Sequence, residues 1–417
     1  MKKFVYVCLS ESGGILDYAV YQAGALLEVV SKTKGEEIEL HFLCKQSFPV
    51  ERLSPGIIVH RFSDRRQGLV NRGFVPKIRR VWFMIANLVK DAHEISHFVR
   101  GLLSSACGFH NVVVLLDCYR EYFAPLWAWP LRRLAKKGMV IGAVAHDPVR
   151  NFVVGPLWWH RWSVSLGYSF VRYVFVHDDT PVDFGGRKPE FIQVEKIPFG
   201  AYPLSSPKFD PAELRETLGF AASDIVFFAF GQIRDGKNLD LFLRAMTKLP
   251  ENVKLLVAGK GHSESSKSPE FYQNLAEELG VARRCRFEIR RIPDQEVGEL
   301  FNAIDFTVLT YSAKFRSMSA VLASALTARK PVLASSGLGP LKSTVEKYDL
   351  GVFVNPDDSD EILRGALLLI DSLPPHATRR QSVVSSTMLN PAWERYENEN
   401  SWEKNASRVV CKMCMLK

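Results

Sequence analysis

The strongest constraint on this chain is a pattern that recurs along it. An apolar run of strand length ends in a glycine or polar loop, and helical spacing follows. The clearest copy is Ile225–Phe230, closed by Gly231, then a loop carrying Arg234 and Lys237. Leu239, Leu241, Phe242, Ala245 and Met246 then recur at helical spacing. Further copies are Val253–Ala258 before Gly259 to Gly261, Phe306–Leu309 before Tyr311 and Ser312, and Pro331–Ser335 before Ser336 to Gly339. Such an alternation predicts an α/β fold with a doubly wound parallel sheet. Ligands of such sheets sit beyond the carboxyl ends of the strands. A helix N-terminus there has unpaired N–H groups and partial positive charge, and two added cations make the spot suited to a diphosphate. A solvated basic loop between strand and helix would read the same way.

The order of these blocks narrows the choice. FGQIRDGKNLDLFLRAM, LLVAGKG, AIDFTVLTYS and ARKPVLASS follow one another at suitable spacing. They resemble the donor-binding domain of GT-B glycosyltransferases, glycosyltransferase family 4 in particular. The resemblance covers most of residues 225–365 and is weaker over the N-terminal half. It implies two Rossmann-like domains facing a cleft, with a C-terminal helix that crosses back to the first domain.

Length agrees with two domains: 417 residues exceed what one core usually organises. The expected division is 1–203 plus a crossover helix within 388–417, and 204–387; the Pro- and Ser-rich stretch Pro203–Pro211 marks the boundary. No apolar run approaches the roughly 20 residues that span a bilayer. The basic start, Met1 to Leu9, has too short an apolar run for a signal peptide and reads as a first strand. The cysteines number 7 and are scattered, which argues against a disulfide framework and for a reducing cytoplasm. Cys411 and Cys414 form a lone C-x-x-C, read as incidental. The net charge of +9 suits anionic substrates or an anionic membrane surface better than nucleic acid, since the basic residues are dispersed and no nucleic-acid motif is present.

In the first half, a strand over residues 4–9 leads to Gly13 and Gly14 and then to a helix from Ile15 to Val30. Paired glycines let backbone approach a ligand or simply make a tight turn. Arg65 to Arg80 is basic and precedes the apolar Val81–Val89, which fits a loop plus core helix or a segment on anionic lipid. Val140–Ala145 ends in His146 and Asp147, at the ligand edge of the sheet. Asn151–Trp162 clusters tryptophans with His160 and Arg161, as an acceptor platform, a membrane-facing lip or buried packing.

The resemblance assigns roles. Arg234 and Lys237 would hold the donor diphosphate without a metal ion, arginine as a planar fork and lysine as a point charge. Gly13, Gly14 and the amides of Ser317, Met318 and Ser319 would lie around it. His146 would face the transferred sugar as the catalytic residue, and Ile292 would border the base. The chain departs from the family where two glutamates usually stand: Arg316 and Ser324 occupy those places. Ser324 could bond a ribose, more weakly than a carboxylate. Arg316 could meet phosphate or an acidic sugar.

The function this implies is transfer of a sugar from a nucleotide diphosphate sugar to a glycan or lipid-linked acceptor in cell-envelope polysaccharide synthesis, retaining and metal-independent. No cofactor is expected beyond the nucleotide sugar as co-substrate. Expected partners are that donor, the acceptor and an anionic membrane surface at the cytoplasmic face. A non-catalytic GT-B subunit that binds a partner glycosyltransferase, and a nucleotide-sugar epimerase, stay open beside it.

Overall fold

The computed structural model describes the chain apart from residues 11–12, 34–36, 64–76, 107, 118–120, 150–152, 263–266, 374–390 and 415–417. Most of the basic stretch Arg65–Arg80 and nearly all of the polar segment Leu373–Thr387 therefore lie outside the described residues, as does Asn151. The chain forms two compact units, Met1–Pro198 with Ser401–Lys417, and Phe199–Asn400.

The first unit is built on a 7-stranded parallel sheet ordered β3-β2-β1-β4-β5-β6-β7. Its strands are β1 (Lys2–Cys8), β2 (Ile38–Cys44), β3 (Ile58–Arg61), β4 (Val112–Leu116), β5 (Val140–Val144), β6 (Tyr173–Val176) and β7 (Gln193–Lys196). The central strands are apolar on both faces because helices cover both. Helix α1 (Gly14–Lys32) lies on one side. On the other, α2 (Lys77–Ala106), α3 (Ala124–Trp127), α4 (Trp129–Lys136) and α5 (Leu157–Tyr168) share one core with the sheet, through residues such as Val99, Trp127, Leu131 and Val164.

The second unit repeats the plan with a 6-stranded sheet ordered β10-β9-β8-β11-β12-β13. Its strands are β8 (Ile225–Phe230), β9 (Val253–Ala258), β10 (Cys285–Glu288), β11 (Phe306–Thr310), β12 (Val332–Ser335) and β13 (Gly351–Phe353). Helices α6 (Pro211–Thr217), α7 (Leu239–Met246), α8 (Pro269–Glu278), α9 (Asp294–Asn302), α10 (Ala320–Thr327), α11 (Pro340–Lys347) and α12 (Ser359–Asp371) complete it. All pairings are parallel, as the apolar runs predict. Two short edge strands, β7 and β13, were not evident from sequence: half-exposed or exposed residues give Gln193–Lys196 no apolar signal, and β13 has only three residues.

The C-terminal segment is two helices, divided between the units. Helix Pro391–Glu399 belongs to the second unit, where Trp393 and Tyr396 are buried in its core and the Tyr396 hydroxyl donates to the Phe199 carbonyl. Helix Trp402–Cys414 belongs to the first unit, where Asn405 is wholly buried and Met413 packs against Gly142 of β5. The division thus falls at 198/199 and 400/401 rather than 203/204 and 387/388. Two buried aromatics on one side and a buried amide on the other decide it.

Candidate functional site

In each sheet, the strand order reverses beside a central pair, β1/β4 and β8/β11. Loops diverge there at the carboxyl edge and leave room for a ligand. The sequence-predicted site residues fall largely at these two places.

In the second unit, β8 runs into Gly231, whose φ of +85° suits glycine. The loop then holds Arg234 in extended conformation, a short 3₁₀ turn Asp235–Lys237, and Asn238 at φ +50° before α7. Neighbouring loops fix it. Gly231 donates its N–H to Ala258 at 2.9 Å, and Ile233 to Lys260 at 3.0 Å. Ser312 donates its N–H to Gly236 at 3.0 Å, and Thr310 Oγ1 donates to the Lys237 carbonyl at 3.1 Å. Asp357 accepts from Asn238 Nδ2 at 2.8 Å and from Ala313 N–H at 2.9 Å, tying the β8 and β11 loops together. A Cβ on Gly259 would lie 2.1 Å from the Gly231 carbonyl oxygen, so only glycine permits this crossing.

Lys237 Nζ donates to the Phe230 carbonyl. Burial, and then the nearby Arg234 charge, push its ammonium down to about 7. A Cβ built on Gly231 would be 3.4 Å from Lys237 Nζ and 3.6 Å from Val321 in the first turn of α10. The lysine, the glycine turn and the N-terminus of α10 thus converge. Ser319 caps α10, accepting from Leu322 N–H at 3.3 Å and sharing a 2.9 Å hydrogen bond with Tyr311. Arg234 and Arg316 are exposed at this edge, and Ser317 and Met318 are half-buried. Ala313 and Arg316 press against Gly337 and Gly339 of the β12 loop, where added Cβ atoms would meet carbonyl oxygens at 2.2 and 2.5 Å. Two predicted residues stand apart. Ile292 is buried in the core with Val297 and Phe301. Ser324 is buried, and its hydroxyl donates to the Ala320 carbonyl of its own helix at 3.4 Å.

In the first unit, Gly13 is the N-cap of α1 at φ +81°, and a side chain there would meet nothing within 4 Å. Its positive φ favours glycine, and Gly14 begins the helix. One turn later Tyr18 packs edge-on against His146, ring centroids 4.6 Å apart. His146 Nε2 lies 3.0 Å from Asp117 Oδ1. A carboxylate only accepts, so Nε2 carries a proton, and Nδ1 is left to accept when the ring is neutral or donate when it is charged. Asp117 is wholly buried, and its Oδ2 has no hydrogen-bond partner among the described residues. Below it the Tyr6 hydroxyl donates to Gln22 at 2.9 Å, Gln22 donates to Asn405 at 2.7 Å, and Asn405 donates to Tyr18 at 3.0 Å and Pro198 at 2.7 Å. Burial, reinforced by the Asp117 charge, holds Tyr6 and Tyr18 protonated well above the ordinary tyrosine range. His177, 5.6 Å from His146 between ring centroids, is pushed down to about 3 by burial and the His146 charge.

Sequence reasoning missed Asp117, Tyr18 and Asn405 as site residues. A signal existed for the first: Asp117 ends an otherwise apolar strand, and β4 pairs with β5, which leads into His146.

Residues 210–381 match the family model described as glycosyl transferases group 1. A D-inositol 3-phosphate glycosyltransferase of Mycobacterium marinum is 31% identical over 205 residues, 48% of this chain and 40% of that protein. One from Corynebacterium aurimucosum is 28% identical over 176 residues, 41% of this chain and 40% of that protein. The chain thus spans about two fifths of the length of these curated relatives. Among solved structures, Anabaena Alr3699/HepE in complex with UDP and glucose superposes with a TM-score of 0.66 at 16% identity, covering 100% of both chains. Sucrose-phosphate synthase of Thermosynechococcus elongatus gives 0.66 at 16% identity over 98% and 97% of the chains. The fold is GT-B, and the stretch similar to the glycosyl transferases group 1 model lies within the second unit.

Proposed function

We propose that the protein transfers a sugar from a nucleotide diphosphate sugar to a glycan or lipid-linked acceptor, at the cytoplasmic face of the cell envelope. The observation that carries the reading is the convergence of Lys237, Gly231 and the α10 N-terminus, with Arg234 beside them. Charge that develops on a departing diphosphate needs donors fixed in advance. Here the loop is held by hydrogen bonds from its neighbours and its cations are adjacent. The donor glycosyl group would be activated by these cations and amides, without a metal ion, and retained in anomeric configuration. His146, oriented by Asp117, would offer Nδ1 to the transferred sugar. Ser317, Met318 and Ser319 would add amides to the diphosphate, and Arg316 would extend the cationic edge toward an acidic group. Gly13 and Gly14 would line the approach to the sugar. Ile292 would act by supporting the base-side loop from the core, and Ser324 would need to leave its helix bond to reach a ribose.

A second reading has one observation in its favour: Arg316 and Ser324 replace the paired acids of the resembling family. It is a non-catalytic GT-B subunit that binds a partner glycosyltransferase and turns over no nucleotide sugar itself. Calorimetric titration of UDP and GDP tests both. One nucleotide should bind, and Lys237→Ala and Arg234→Ala should each lose about 1.5–3 kcal/mol, roughly 10- to 150-fold in affinity. Absence of binding by either nucleotide to the folded protein would sink the donor site. Binding without sugar transfer to any offered acceptor would favour the second reading.

A further inference from the structure

The exposed tryptophans of the described chain are Trp82, Trp129, Trp158 and Trp162, at 67, 40, 67 and 49% exposure. All belong to the helical layer α2–α5, on one face of the first unit's sheet. Exposed Phe83, Leu126 and Leu157 extend the apolar surface. The helices are in contact: His93 of α2 meets Trp129 of α4, ring centroids 4.8 Å apart, and Phe123 at the start of α3 meets Trp159 of α5 at 6.4 Å.

Charge on this layer has one sign. Arg100, Arg133, Lys136 and Arg161 are exposed on these helices, and Lys137 follows α4 directly. The carboxylates of these helices are Asp91, buried against Lys45, and Glu94, half-buried and bonded to Ser63 and Lys90. None stands exposed. Arg133 lies over the Trp129 ring at 4.8 Å, placing a cation and an indole at one spot. A soluble protein rarely exposes such a patch without a partner. Indole rings favour the bilayer interface, and cations beside them favour anionic headgroups. No helix among the described residues is long and apolar enough to cross a membrane, so the contact is peripheral.

We infer that the α2–α5 face docks on an anionic phospholipid bilayer, with the tryptophans seated among the headgroups and the α4 and α5 cations neutralising lipid charge. The inference does not rest on the proposed transfer activity, because the cationic nucleotide loop lies on the other unit and is read separately.

Co-sedimentation of the full chain with vesicles tests it. Vesicles of phosphatidylcholine with phosphatidylglycerol should carry down the protein, with partitioning at least about tenfold stronger than for phosphatidylcholine alone, and weaker at high salt. Trp158→Ser with Trp162→Ser, and separately Arg133→Glu with Lys136→Glu, should each lower partitioning at least about tenfold. Unchanged melting and an unchanged circular dichroism spectrum would show that these surface variants remain folded. Equal binding to both vesicles, no binding, or variants that bind like the parent chain would overturn the inference. So would a dimer, seen by analytical ultracentrifugation, that the same variants dissolve, since the face would then be covered by a second copy.

Discussion

The two candidate sites of this molecule are made in different ways. The loop of Arg234 and Lys237 is the short stretch Gly231 to Asn238 between β8 and α7, and its neighbours restrain it mainly through backbone hydrogen bonds. The His146 pocket draws on Tyr6, Tyr18, Gln22, Asp117, His177 and Asn405, residues nearly four hundred positions apart, joined through side chains. A backbone-built loop tolerates change at most side chains and fails where glycine is required. A side-chain network fails wherever one member is removed, because low dielectric makes each unpaired polar group costly.

This contrast can be broken most sharply at Gly259. Alanine there would place Cβ 2.1 Å from the Gly231 carbonyl, at a φ of +150°. The expected cost is about 3 kcal/mol, with nucleotide binding lost as the β8 loop shifts. Urea unfolding and UDP titration read both effects. Near-parent stability together with intact binding would show that the crossing is not needed.

A smaller effect is expected at the pocket. His146→Ala strips Asp117 of its hydrogen bond and should cost about 1–3 kcal/mol in urea unfolding. Asp117→Asn in the same background should recover part of that loss, since a neutral amide is less costly to bury. Additive destabilisation by the pair would mean the dyad is not coupled. Asp117→Asn alone should slow turnover while leaving UDP affinity unchanged, as fits a residue that orients the imidazole.

The smallest effect is a pH dependence. Lys237 titrates near 7 in the free site because burial and Arg234 disfavour its charge. A bound diphosphate favours the charged form. Above pH 7 binding must therefore take up a proton, and affinity for whichever of UDP and GDP binds should fall by up to about tenfold per pH unit. Calorimetry in buffers of different ionisation heat should detect uptake of roughly one proton at about pH 8. Lys237→Arg should flatten the dependence, because arginine stays charged. A flat profile in the parent chain would remove Lys237 from contact with the diphosphate.

Much of the fold was legible because parallel strands buried on both faces read as unbroken apolar runs; β8 and β9 match the runs Ile225–Phe230 and Val253–Ala258 residue for residue. The edge strands β7 and β13 escaped because they are short and carry no buried residue. Within the candidate site, the cationic loop of Arg234 and Lys237 was legible because a strand, a loop and a helix start are consecutive in the chain. Ile292 and Ser324 were placed by resemblance alone; their side chains turn into the core and onto their own helix.

The sequence by itself determined the doubly wound plan, the cationic loop and the glycines that free it, because periodicity and backbone chemistry act over neighbouring residues. Only the tertiary structure decided that Asp117 meets His146, that Asn405 returns to bond Tyr18 and Gln22, and that the exposed tryptophans share one layer of helices. Those contacts join residues distant in the chain. Which distant side chains meet is set by the packing of helices on a sheet, and local spacing carries no record of it.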